Sequence, residues 1–322
     1  MDEVLIGTVL ASTLRVSVPL ILSAMAGVLC ERSGVIDLGL EGKMLMTAFT
    51  TASVGVASGS LPLALAASLG VGVALSMLHG YACVSHRGDQ VVLGVAITMT
   101  AAGLTVVLGI AQFAMGGQTP PVPDAVRLSG WFEGAGAVVA GIPFVGQALS
   151  LALLGHNLMV YGALVSVAVV WWLLYRTRFG LRLRAAGENP AMVDAAGVSV
   201  KALRYQALAL NGVLSALAGS YLVLAQNPSF IPHMTAGRGY MALAALIFGK
   251  WHPVGALWAC LLFGFLDAVS IRLQGVVLPV IGAVPVQAIQ ALPYVLTVVL
   301  LAGFIGRAAA PAALGRPYVK TR

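Results

Sequence analysis

Apolar residues run along this chain in long unbroken blocks with short polar gaps. Residues 4–29, 44–57, 61–84, 91–113, 157–175, 205–225, 254–271 and 286–305 form such blocks, and 239–248 is a shorter one. A helix needs ~20 apolar residues to cross the hydrocarbon layer, whereas a spanning strand needs about half that, with alternating polarity. Continuous runs therefore predict helices. The expected fold is all-α, one polytopic transmembrane helical bundle over residues 1–322, with about nine spans. Some spans should be broken or re-entrant. Arg15 and Pro19 interrupt the first, and 239–248 cannot cross alone. Segments 116–155, 226–238 and 272–285 read as outer loops, and Gly249-Lys250-Trp251-His252-Pro253 as a tight turn. For 226–253 a single hairpin of half-helices is the alternative.

The longest polar interruption is 176–204, and it carries its own start and stop signals. Asn189 suits an N-cap, since its side chain can accept from free N–H groups of the first turn. Pro190 suits the first helical position, where a missing N–H costs nothing. Asp194 follows inside the helix, Gly197 suits the left-handed residue that closes it, and Ser199 can cap the next helix. The pattern predicts a helix of about two turns over 190–196, held between two spans by Arg176, Arg178, Arg182, Arg184, Lys201 and Arg204.

Composition fixes the solvent. The chain is 59% hydrophobic and 9% charged, with mean hydropathy +0.96, against about 25% charged in a soluble domain. The net charge of +7 does not point to nucleic acid. Six of the 18 basic residues lie in 176–204, and Arg307, Arg316, Lys320 and Arg322 lie in the tail. Clusters of this kind mark cytoplasmic segments and can attract anionic membrane lipid. Alternation from them places the acidic N-terminus outside and the C-terminus in the cytoplasm. Cys30, Cys83 and Cys260 form no disulfide framework, and no cleaved signal segment is expected.

A second informative stretch is 31–43, where five charges and three glycines break the hydropathy. Irregular backbone at membrane depth is tolerated only inside protein or beside a water-filled path. Asp37 and Glu41 are four apart and would share a face if the segment is helical; they, with Asn211, Gln287 and Gln290, are the candidate gate or substrate-path residues. The plainer reading is that Glu31, Asp37 and Glu41 pair with Arg32 and Lys43 at the inner interface. Asp267 and Arg272 read as an ion pair or interfacial anchor, and Gly55-x-x-x-Gly59 as a packing seam. Enzymatic signatures fail. Gly42-Lys43 and Gly249-Lys250 lack the rest of a phosphate-binding loop, His79, Cys83 and His86 match no zinc spacing, and no nucleophile elbow occurs. No cofactor is expected.

The stretch from Glu31 to Met44, ERSGVIDLGLEGKM, closely resembles the ERSGVINIGLEGMM segment of ABC-importer permeases, in the nucleoside branch of the ribose and branched-chain amino acid permease superfamily. Asn is usual there at position 37 and Met at position 43, so Asp37 and Lys43 are departures. Residues Gly187-Glu188-Asn189-Pro190-Ala191 through Ala196-Gly197-Val198 resemble that family's cytoplasmic coupling segment, and are similar to a loop of cobalamin and siderophore permeases. The likeness continues through 211–219 and 249–255.

The resemblance implies a type II ABC-importer permease fold. It implies a membrane subunit that forms the path for a small polar solute, a nucleoside first, with a simple sugar or riboflavin next. Its partners would be a second permease subunit, commonly a paralogue, a cytoplasmic ATP-binding subunit that hydrolyses the ATP, and an extracytoplasmic substrate-binding protein. On this reading Arg182, Arg184, Gly187, Glu188, Asn189, Pro190, Asp194 and Gly197 couple to the ATPase, and the flanking arginines steady the loop against lipid or an acidic ATPase surface. The alternative from another class is an ion-coupled secondary carrier with Asp37, Glu41 and Asp267 as coupling sites.

Overall fold

A computed structural model describes residues 2–128, 154–273, 277–278, 282–283, 291, 295, 299 and 309–320. Among the described residues the regular elements are helices, apart from one two-residue antiparallel ladder pairing Val277 with Ala283 and Leu278 with Gly282. Helix α1 is Asp2–Arg32, α2 Leu40–Ser58, α3 Leu61–Gly80 and α4 Gln90–Phe113. After the segment that follows α4 come α5 Leu158–Arg176, α6 Arg178–Glu188, α7 Pro190–Ala195 and α8 Val200–Tyr221. Helices α9 Arg238–Phe248 and α10 Pro253–Leu273 follow. A single π-helical turn extends α3 through Ser85, and another extends α8 through Gln226.

Six described helices are long and apolar enough to cross a membrane: α1, α3, α4, α5, α8 and α10. The expected span at 44–57 is α2, which starts earlier, at Leu40, and so carries Glu41 and Lys43 in its first turn. The expected ninth span, 286–305, lies outside the described residues, as do Gln287 and Gln290.

Helices α1 and α8 form the centre. The most apolar stretch of α1 is 83% buried and that of α8 72%, against 22% for α3 and α4. Since hydrocarbon solvates Leu as well as a protein core does, close approach rather than apolarity selects the interior. Along α3 the buried positions are His79 and a four-residue repeat of small side chains, Ala64, Ser68, Gly72, Ser76 and Gly80. A Cβ on Gly72 would lie 2.5 Å from the Gly212 carbonyl oxygen of α8, and one on Gly219 would collide with the α2 backbone at Met44. Small hydroxyls fill the same seam. Ser220 of α8 bonds both Thr51 of α2 and Ser68 of α3, each at 2.8 Å. The expected Gly55–Gly59 seam forms only in part. Gly55 lies against Val122 and Val126, whereas Gly59 ends α2 at φ +62° with nothing near it.

Segment 226–238 is not an outer surface loop. It threads inward beside α2: Phe230, Met234 and Thr235 are buried, and Phe230 stacks edge-on against Phe49 at 5.2 Å. Its backbone is satisfied by the segment that follows α4, Thr119 N–H donating to Phe230 and Val122 N–H to Pro228. The inward passage is therefore a run of bends and turns followed by the eleven-residue α9, as irregular backbone enclosed in protein allows. Asp267 and Arg272 form no ion pair, because residues five apart on α10 point about 140° away from each other.

Gly219→Val should destabilise the protein by about 1–3 kcal/mol through overpacking, whereas Gly162→Val, which meets nothing within 4 Å, should not. Thermal unfolding in detergent distinguishes them; equal melting temperatures would refute the seam.

Candidate functional site

Two constellations share the end of the bundle where α1 finishes. The first is the break between α1 and α2. Gly34 turns the chain at φ +88°, a conformation glycine adopts without penalty. Gln90 Oε1 accepts from the Ile36 N–H at 2.7 Å, and Asp37 Oδ1 from the Gly39 N–H at 3.1 Å.

Asp37 and Glu41 do not share a face. Asp37 precedes the helix and points to Lys43 Nζ at 2.6 Å and His79 Nδ1 at 3.0 Å, all three fully buried. Lys43 donates further to Asn211 Oδ1 at 3.0 Å, which also accepts from Ser76 Oγ at 3.1 Å, while Asn211 Nδ2 donates to the Ala26 carbonyl. The two positions that depart from the ERSGVINIGLEGMM pattern thus face each other as an ion pair.

Glu41 turns the other way. Its oxygens accept from the Gly237 N–H at 2.8 Å and the Gly239 N–H at 2.6 Å, placing a carboxylate on the start of α9, where the helix dipole favours it. Glu31 accepts from Trp251 Nε1, and Arg32 Nε donates to the Trp251 carbonyl at 2.9 Å. Of the expected pairings within 31–43, only Asp37–Lys43 forms; Glu31 and Glu41 instead bind the two ends of α9.

The second constellation is 176–204, where the capping signals appear as read. Asn189 Oδ1 accepts from the Met192 N–H, Gly197 takes φ +79°, and Ser199 Oγ accepts from the Ala202 N–H. Helix α6 was not foreseen. Thr177 caps it, accepting from the Gly180 N–H at 3.1 Å, while Leu183, Ala186 and Gly187 turn inward. The arginines divide. Arg182 is exposed, but Arg184 lies 4.6 Å above the Tyr175 ring, which also neighbours the His252 ring at 5.2 Å and the Trp171 ring at 6.4 Å. Burial, then the Arg32 guanidinium, holds His252 below the usual imidazole range. Arg204 is buried and bonds backbone carbonyls instead of facing lipid or a partner surface. Pro190 opens α7, whose outer face carries Met192 at 68% exposure beside Ala191 and Ala195. Asp194 is partly covered and lies 3.8 Å from Lys320 Nζ.

Three cavities accompany these groups. One of about 450 Å³ lies beside 194–201, with Arg87, Lys201, Arg204 and Lys320 around it. One of about 430 Å³ lies at the other end of the bundle, lined by Arg15, Tyr221, Gln226 and Arg272 among others. An apolar one of about 280 Å³ between α3 and α4 has His79 in its wall. Asp37, Glu41 and Asn211 line none of them.

A bundle of helices long and apolar enough to cross a membrane, with one broken and internally bonded crossing, defines a multi-pass membrane protein. Residues 9–309 match the family described as branched-chain amino acid transport system / permease component, and the chain belongs to that family. It is 37% identical to the guanosine ABC transporter permease protein NupQ of Bacillus subtilis, over 98% of both chains. It is 35% identical to the nucleoside ABC transporter permease protein NupC of Lactococcus lactis, over 98% of this chain and 97% of that one. Ribose import permease protein RbsC of Escherichia coli is 28% identical over 72% of this chain and 68% of its own length. The chain is a multi-pass membrane permease component and not itself an enzyme.

Lys43→Met alone should cost about 3–5 kcal/mol, because it leaves the Asp37 carboxylate buried without its ammonium. Adding Asp37→Asn should restore wild-type stability, measured as thermal unfolding in detergent. A double variant as damaged as the single one would show that the charges do not compensate each other.

Proposed function

We propose that this chain is the permease subunit of an ATP-driven importer for nucleosides. The observation that carries the reading is full-length similarity, at 35–37% identity, to two permeases named for guanosine and nucleoside transport. In this reading α6 and α7 dock on a cytoplasmic ATP-binding subunit, with Met192 as the apolar tip and Arg182, Glu188 and Asn189 around it. Gly187, Pro190 and Gly197 give the segment its shape, Asp194 holds its inner face, and Arg184 anchors it to Tyr175. A second permease, a paralogue in this reading, completes the path, and an extracytoplasmic binding protein delivers the solute.

Position favours one orientation. The tail bonds to α6 through the Ala313 N–H and the Gly187 carbonyl, so the two most basic regions lie on the same side. The positive-inside rule makes that side the cytoplasm and puts the N-terminus outside.

The α1–α2 break is then the gate. Asp37, Lys43, Asn211 and Glu41 act as the internal fastening that moves with it, and the Gln287 and Gln290 region remains a candidate for contact with the solute. Alternating access is rocking of packed helices about a fixed site.

Proteoliposomes holding the assembled importer should take up labelled guanosine only with ATP, insensitively to an uncoupler and to excess ribose. Met192→Glu should leave the protein in the membrane but reduce co-purified ATPase and uptake to background. Uptake that persists without ATP and collapses with an uncoupler would establish the ion-coupled carrier instead.

A further inference from the structure

We propose that Arg204 and the C-terminal segment 309–320 form a tie that carries movement of α7 to the α1–α2 break, with Arg204 as the positioning residue at its centre. The proposal rests on the reading that α6 and α7 meet an ATPase.

Arg204 sits in the first turns of α8 and is 1% exposed. Among the described residues no carboxylate pairs with it. Its Nε donates to the Ser33 carbonyl and its Nη1 to the Arg316 carbonyl, each at 3.2 Å. Nη2 has no hydrogen-bond partner and lies 3.0 Å from where a Cβ on Gly34 would stand. Burying a guanidinium without a counter-charge costs several kcal/mol, so a simpler fold would not keep one here. What it achieves is the joining of three segments distant in sequence.

The tail makes the same junction through its backbone. The Ala313 N–H donates to the Gly187 carbonyl at 2.8 Å, and the Gly315 N–H to the Gly34 carbonyl at 3.1 Å. The Ala312 N–H reaches Glu188 Oε2 at 3.2 Å. Gly187 itself lies so close to the end of α1 that any Cβ on it would collide with the Arg32 carbonyl. The tail therefore grips the last turn of α6 and the break at Gly34 at once, two residues apart on its own chain. Relative displacement of α6–α7 and the break must strip these bonds together or move both ends together. The tail also reaches α7 itself at Asp194, through a side-chain hydrogen bond with Tyr318 and the exposed Lys320 ammonium at 3.8 Å.

The test uses the complete importer with its ATPase, partner permease and binding protein. Three variants serve: Arg204→Lys, which keeps the charge but cannot reach both carbonyls; Ala313→Pro, which deletes only the donor to Gly187; and removal of 311–322. Co-purified ATPase, ATP hydrolysis and uptake are measured on each. The expected result is normal co-purification and persisting hydrolysis, with solute moved per ATP reduced about tenfold or more, the scale of a typical coupling free energy. Where Arg204→Lys fails to insert, Ala313→Pro alone decides. Uptake and hydrolysis falling in proportion, or both unchanged, would overturn the tie while leaving the importer reading intact. Uptake by the wild-type assembly without ATP would overturn that reading, and the proposal with it.

Discussion

Hydrocarbon offers no hydrogen bonds, so a chain that stops being helical within a buried bundle must satisfy every freed group from its own side chains or neighbours. The break at 33–39 is where this protein meets that demand, and its neighbours are placed by the solution. Gln90 at the start of α4 takes the Ile36 N–H, Arg204 at the start of α8 takes the Ser33 carbonyl, and the tail takes the Gly34 carbonyl. Charges on either flank reach α9: Glu41 at its beginning, Glu31 and Arg32 at the turn that follows it. Helix α9 is too short to be held by lipid, and this bracket at both ends gives it a fixed place beside α1.

The buried Asp37–Lys43 pair follows from the same constraint. Desolvating two charges is expensive, and their attraction offsets the cost only where the remaining donors and acceptors are occupied. Here most of them are: Asp37 has Lys43, His79 and a backbone N–H, and Lys43 has Asp37 and Asn211, although His79 Nε2 is buried without a partner. Asn and Met, the usual pair in the pattern that this stretch resembles, would fill similar space without charge. The substitution is therefore comprehensible as a pair and costly as either change alone.

Much of the fold was legible because a span is defined by length, which a sequence displays directly. The α7 caps were legible for a different reason: Asn189, Pro190, Gly197 and Ser199 each act within three residues of their own position. What stayed hidden depends on partners remote in sequence. That Asp37 turns to His79 and Glu41 to Gly237, or that Arg204 lies inside, requires knowing which helices meet. The inward course of 226–238 was hidden because its proline content suits a surface loop equally well until Thr119 and Val122 supply its hydrogen bonds. The repeat Ala64, Ser68, Gly72, Ser76, Gly80 was visible and unread, although spacing by four with small side chains marks where another helix lies close.

These bonding patterns also weigh on how the protein could be driven. An ion-coupled carrier needs carboxylates that gain and lose a cation as the path opens to each side. Asp37 is already occupied by an ammonium and an imidazole, and Glu41 by two backbone N–H groups at the head of a helix. A cation visiting either would have to displace those partners, and the freed Lys43 or helix end would then lie buried and unpaired. Groups held in this way suit a fastening that moves as a unit. In the proposed reading a fastening of that kind takes its force from outside the bundle, through α6 and α7, which are joined to it by Gly187 and the tail.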